Sequence, residues 1–115
     1  MCYSLSNYLS HIVDETSYLI NTCQGLDKDT FMENGTLKRA FVRSLEIIGE
    51  AVKHLPNDFR ESYPSIKWRK MAGMRDKLIH NYFGVDYDLV WDAVIKEVPI
   101  LDSKIRDILS RQDIL

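Results

Sequence analysis

The sequence predicts an all-α protein, an up-and-down antiparallel bundle of helices, and three observations carry that prediction. Apolar residues recur at three- and four-residue steps along most of the chain, the pattern of helices buried along one face. No stretch alternates apolar and polar residues over the length of a strand. Only three prolines and five glycines punctuate the 115 residues, and the short connections between segments favour antiparallel neighbours.

The first helix carries Leu5, Tyr8, Leu9, Ile12, Thr16, Leu19, Ile20 and Cys23 on one stripe. Ser4 or Ser6 is its candidate cap, and Gly25 lies past its end. Thr30 and Glu33 have the spacing of a capping box and predict a short turn before the next helix. That second long helix is expected over 36–55, with Leu37, Phe41, Ser44, Leu45, Ile48, Ala51, Val52 and Leu55 inward and Pro56 stopping it. Gly49 inside it should cost about 1 kcal/mol relative to alanine, so a close helix crossing is expected there. Residues 57–63 read as a loop with one helical turn. Ser65 is expected to cap a third long helix bearing Ile66, Met71, Met74, Leu78, Ile79 and Tyr82, ending near Phe83 and Gly84. Asp86 or Asp88 starts the next, with Leu89, Val90, Ala93 and Val94 inward. Pro99 suits the first turn of a last helix carrying Leu101, Ile105, Ile108 and Leu109.

Composition bounds the function. Apolar residues make up 45% and charged residues 28%, the balance of a folded globular chain rather than a disordered one. The length suits one domain, residues 1–115. With 15 basic and 17 acidic residues the net charge is −2, which excludes holding nucleic acid by bulk charge. No apolar run approaches the roughly 20 residues a membrane helix needs, and the start of the chain lacks the features of a signal peptide. Cys2 and Cys23 fit no metal spacing and read as reduced thiols. The expectation is a cytoplasmic protein.

The charge is unevenly placed. Residues 60–85 hold Arg60, Lys67, Arg69, Lys70, Arg75 and Lys77 against Glu61 and Asp76, a net +4, while the segments on either side each net −3. A solvated helix face is the commoner reason for such a run. The sharper reading is a phosphate-binding surface, with Lys67, Arg69, Lys70 and Lys77 as its candidate contacts.

Of the three histidines, His11 and His54 read as structural or surface residues. His80 differs because it lies in Arg75-Asp76-Lys77-Leu78-Ile79-His80-Asn81-Tyr82. On a helix, Asp76 and His80 share a face, where the carboxylate would orient the imidazole. Arg75 and Tyr82 also share a face. Arg75 and His80 stand roughly 140° apart on an ideal helix, so a bent side chain, a distorted helix or a second subunit must bring them together. A homodimer pairing two copies of this helix is the simplest of these.

Those groups suffice for RNA cleavage without a metal. One base takes the proton of the ribose 2′-hydroxyl, one acid protonates the leaving oxygen, and a cation steadies the charge growing on the phosphoryl oxygens. Histidine can serve as base or acid, and arginine matches phosphate geometry. By residue type alone, an Arg–Asp–His salt-bridge network with Tyr82 at the core edge is the commoner arrangement. No metal site, phosphate-cradling glycine loop or serine nucleophile motif competes.

The eight-residue string resembles the R-x-x-x-x-H-x-Y signature of HEPN-domain ribonucleases. The flanks 43–51, 68–74 and 82–86 extend the likeness to the HepT toxins of HEPN/MNT toxin–antitoxin pairs, over nearly the whole chain. The resemblance implies a HEPN-like bundle that dimerises around the motif helix and forms a composite cleft. It implies a metal-independent endoribonuclease that needs no cofactor, acts on messenger or transfer RNA and arrests growth. Arg75 and His80 would be the catalytic pair, with Asp76 the supporting polar residue. Tyr82 matches the tyrosine that the partner antitoxin, a minimal nucleotidyltransferase, modifies with AMP from ATP. Bulk and negative charge there would block RNA. The alternative is a non-catalytic helical subunit that binds a nucleotide or substrate for the transferase.

Overall fold

The computed structural model describes residues 4–80 and 84–111, with Ile79 and His80 described at the backbone only. It is the expected all-α bundle. Ser4 caps α1 (Leu5–Thr22): its hydroxyl accepts the Asn7 N–H at 3.3 Å while the Asn7 side chain accepts the Ser4 N–H at 3.0 Å. Those two bonds satisfy donors that the first turn leaves without intrahelical partners. Past the helix, Gly25 takes a left-handed φ of 75°, which a residue lacking Cβ adopts without strain.

The next cap differs from the expectation. Thr30 does not open the short α2 (Lys28–Glu33); Asp27 does, accepting the Thr30 N–H at 2.8 Å. The carboxylate is the better acceptor three residues ahead of that N–H, and the bond holds the Asp27 carboxyl below its ordinary range. Asn34 then caps the long α3 (Gly35–Lys53) through the Leu37 N–H at 3.0 Å. Pro56 stands between α3 and the short α4 (Asn57–Ser62).

The third long helix is replaced by two short ones and a turn of strand. Helix α5 (Trp68–Ala72) starts after Lys67, so Ser65 is not its cap, and α6 (Met74–Leu78) follows Gly73. Strand β1 (Ile79–His80) then pairs antiparallel with β2 (Gly84–Val85), Ile79 opposite Val85 and His80 opposite Gly84. Two contacts outside the local periodicity account for this. The end of α5 is pressed on α3 at Gly49, where a Cβ would lie 3.0 Å from the Met71 carbonyl oxygen. The Asp86 N–H, donated to the Leu78 carbonyl at 2.8 Å, folds the returning chain onto the end of α6. The expected close crossing at Gly49 is therefore present, and Tyr82 and Phe83 lie outside the described residues.

The remaining chain is helical without a gap: α7 (Tyr87–Asp92), a π-helical turn (Ala93–Glu97) and α8 (Val98–Ser110). Asp86 is the cap of α7, accepting the Leu89 N–H at 3.2 Å. Pro99 falls in the first turn of α8. It has no N–H for the carbonyl four residues back, and the wide turn sits where that bond is missing. Leu89, expected inward, is 41% exposed, whereas Val90, Ala93 and Val94 are buried.

Helix α3 is the element on which α1, α5 and α6 pack, and α1 also packs on α8. Leu9, Ile12, Leu19, Phe31, Phe41, Ile48 and Ile105 are fully enclosed, and the Phe31 ring lies 4.9 Å from Phe41 and 5.2 Å from Trp91. Buried hydroxyls meet acceptors on neighbouring helices: Thr16 donates to Asp102 at 2.7 Å and Ser44 to Glu15 at 2.8 Å. Among the described residues, no helix is long and apolar enough to cross a membrane.

Candidate active site

Because α3 buries one face in the core, its other face meets α1 and α6 from outside. Arg43, Glu46, Ile47, Glu50 and His54 follow one another at helical spacing along that face and line an open cleft of about 340 Å³, with Tyr8 and His11 from α1 and Arg75 from α6 completing the wall. Arg75 is thus the residue of the motif string on that wall, while Lys77 and Leu78 of the same string line a separate groove.

The Arg75 guanidinium donates from Nε to the Glu46 carboxylate at 3.1 Å. Its side chain is 59% exposed against 25% for Glu46. Exposed pairs of this kind contribute only about 0–1 kcal/mol, so Arg75 can exchange Glu46 for a phosphate at little cost. The Nη groups make no hydrogen bond among the described residues, which leaves the guanidinium fork open for an oxyanion. Beside it, the Tyr8 and His54 rings stack with centroids 5.2 Å apart and planes inclined by 6°. His54 Nε2 stands 3.7 Å from a Glu50 oxygen, an ion pair whenever the imidazole is protonated.

The other expected site residues are placed differently. Asp76 is exposed on α6 and has no hydrogen bond or ion pair among the described residues. The expectation that it shares a helix face with His80 does not hold, because α6 ends at Leu78 and the His80 backbone is in β1. The expected shared face of Arg75 and Tyr82 lies outside the described residues, because Tyr82 does. Of the His80 side chain the structure describes nothing.

The basic residues form a second neighbourhood. Lys70 reaches Glu97 at 2.5 Å, and that bond, with Lys67 and Lys77 nearby, holds the Glu97 carboxyl below its ordinary range. Lys70 and Lys77 line a groove against Asp92 and Glu97, while Lys67, Arg69 and Lys70 border a shallow depression beside α4. Neither shares a residue with the Arg75 cleft. The structure therefore sets Lys67, Lys70 and Lys77 around an acidic residue instead of lining them up with Arg75.

Sequence reasoning passed over Glu46, Glu50, Arg43 and Tyr8 as site residues and set His11 and His54 aside as structural or surface groups. The available signal was the polar face of α3, where Arg43, Glu46, Glu50 and His54 recur at three- and four-residue steps opposite the apolar stripe. Among the described residues, no group of three or more His, Cys, Asp or Glu could hold a metal ion. Cys23 is a free, half-buried thiol whose pKa burial pushes up.

An all-α bundle with Arg75 in an open cleft fits the resemblance that the R-x-x-x-x-H-x-Y string carries. The chain belongs to the HepT-like ribonuclease family, whose model, described as "Ribonuclease HepT-like", matches residues 7–108. A protein of Caldanaerobacter subterraneus subsp. tengcongensis named "Putative RNase" is 50% identical over 105 residues, covering 91% of this chain and 94% of its own length. The "Probable ribonuclease HepT" of Thermococcus cleftensis is 42% identical over 101 residues, 88% of this chain and 92% of its own. A Methanocaldococcus jannaschii protein, also named "Putative RNase", is 44% identical over 102 residues, 89% of this chain and 88% of its own. No solved structure gives a significant match.

Proposed function

We propose that this protein is the endoribonuclease toxin of a HEPN/MNT pair, acting in the cytoplasm as a homodimer on messenger or transfer RNA. The observation that carries the reading is family membership over residues 7–108, together with the open Arg75 cleft beside the motif. In this reaction one His80 imidazole takes the 2′-hydroxyl proton as the oxygen attacks the adjacent phosphorus. The bond to the 5′-oxygen breaks, and that oxygen takes a proton from the His80 imidazolium of the other subunit. Arg75, released from Glu46, steadies the extra negative charge on the phosphoryl oxygens, and Asp76 adds a polar contact. No step needs a metal or a cofactor. Lys67, Arg69, Lys70 and Lys77 would hold more distant phosphates.

The partner is a minimal nucleotidyltransferase that adds AMP to Tyr82, putting a charged, bulky group where RNA must lie. The test is cleavage of single-stranded RNA by the purified chain in excess chelator. Removing an acid–base or charge-stabilising group typically costs about 10²–10⁴ in rate, so His80→Ala and Arg75→Ala should lose that much while keeping the helical fold by circular dichroism. Variants that cut as fast as the parent chain would overturn the assignment. RNA left intact by the parent chain would favour a non-catalytic subunit that binds nucleotide for the transferase.

A further inference from the structure

The cleft holds more than catalysis at Arg75 requires. Its volume of about 340 Å³ falls in the range of small-ligand sites, far beyond what one phosphate fills. One wall is a nearly parallel Tyr8–His54 ring pair, and the His54 side chain is 54% exposed, which leaves aromatic surface open on the cleft. Arg43 is exposed and makes no ion pair or hydrogen bond among the described residues, although Glu46 and Glu50 lie on the same helix face.

We propose that this cleft is a nucleoside subsite for single-stranded RNA, in which the Tyr8–His54 pair stacks one base, Arg43 holds the neighbouring phosphate and Glu50 reads the base's amino edge. The inference rests on the reading of the chain as a ribonuclease and names how the substrate is seated next to Arg75. A planar base offers a π-face to any aromatic platform, and stacking tolerates every base. Tyr8 and His54 already hold each other parallel, so little side-chain freedom is lost when a base joins them. A carboxylate only accepts hydrogen bonds, which suits the exocyclic amino groups of cytosine, adenine or guanine and disfavours uracil, which has none. Duplex RNA hides its bases from such a platform, so the occupant is single-stranded.

The experiment separates seating from chemistry. Binding of a fluorescein-labelled single-stranded heptaribonucleotide is measured by anisotropy on the His80→Ala protein, and cleavage is measured separately on chains with His80 intact. His54 and Arg43 are exposed, so their replacement by alanine leaves the core untouched. In the His80→Ala background, His54→Ala should weaken binding about tenfold, within the span that loss of one stacked base produces. Arg43→Ala should reduce the slope of log affinity against log salt by about 0.7, the loss of one phosphate contact to a single strand. With His80 intact, both changes should raise KM and leave kcat within about threefold, because they act on substrate binding rather than on the reacting atoms. Glu50→Gln should erase a preference for cytosine-rich over uracil-rich oligonucleotides. Parent-like binding by both His54→Ala and Arg43→Ala would overturn the subsite while cleavage by the parent chain left the ribonuclease reading in place. Failure of the parent chain to cleave any RNA would remove that reading and this inference with it.

Discussion

Glu46 and Arg75 meet across 29 positions of sequence, and what matters about the contact is how weak it is. A guanidinium locked in a buried pair would be lost to catalysis, whereas on the proposed reading this one would be held by Glu46 and given up to a phosphate. Glu97 and Lys70 show the firmer version, with the carboxyl largely enclosed. Its folded carboxyl titrates below the unfolded value of about 4.3, so the pair adds stability above that pH and loses it as the pH falls through the lower folded value. Glu97→Gln should therefore cost up to about 1 kcal/mol near neutrality. The gap from the parent chain should close on acidification below about pH 4, as paired urea titrations will show. A gap independent of pH would mean the side chain acts by packing alone. At Gly49, the alanine variant gains about 1 kcal/mol of helix propensity but sets a methyl 3.0 Å from the Met71 backbone carbonyl oxygen, tighter than ordinary contact. Overpacking of that kind costs about 1–3 kcal/mol, so Gly49→Ala should lower stability by about 1 kcal/mol in urea unfolding.

At the scale of elements, α6 sets Arg75 in the cleft and the short β-pair follows it. The turn back to α7 is held by Asp86, whose backbone N–H meets Leu78 and whose side chain caps α7. Asp86→Ala should cost about 1 kcal/mol through the lost cap and leave the Asp86 N–H bond to Leu78 intact, so hydrogen exchange at Leu89 should quicken while that at residue 86 does not. This region also marks the limit of what could be read from the sequence. Helices α1 and α3 were legible because Ser4 and the apolar stripes lie within the segments they define, whereas Asn34, the cap of α3, was not read from the sequence. The break between α5 and α6 was not, because Met71, Met74 and Leu78 keep helical spacing straight across it. What interrupts that helix comes from elsewhere in the chain, at Gly49 and Asp86. The motif carrying Arg75 was likewise plain in the string; Glu46 and His54 left a trace in the polar face of α3, while Tyr8 joined them only through the packing of α1 on α3.

For the whole molecule, one chain presents an arginine in an open cleft and holds Lys67, Lys70 and Lys77 elsewhere, around Glu97. A second copy supplying its own motif would set two imidazoles and two guanidiniums about a single phosphodiester, the arrangement on which the ribonuclease reading depends. The nature of the cut ends tests this most directly. In excess chelator, 5′-labelled single-stranded RNA incubated with the purified chain should yield fragments ending in 2′,3′-cyclic phosphate, with 5′-hydroxyl groups on the downstream pieces. Fragments ending in 3′-hydroxyl with 5′-phosphate, the products of attack by water instead of the 2′-oxygen, would contradict the account.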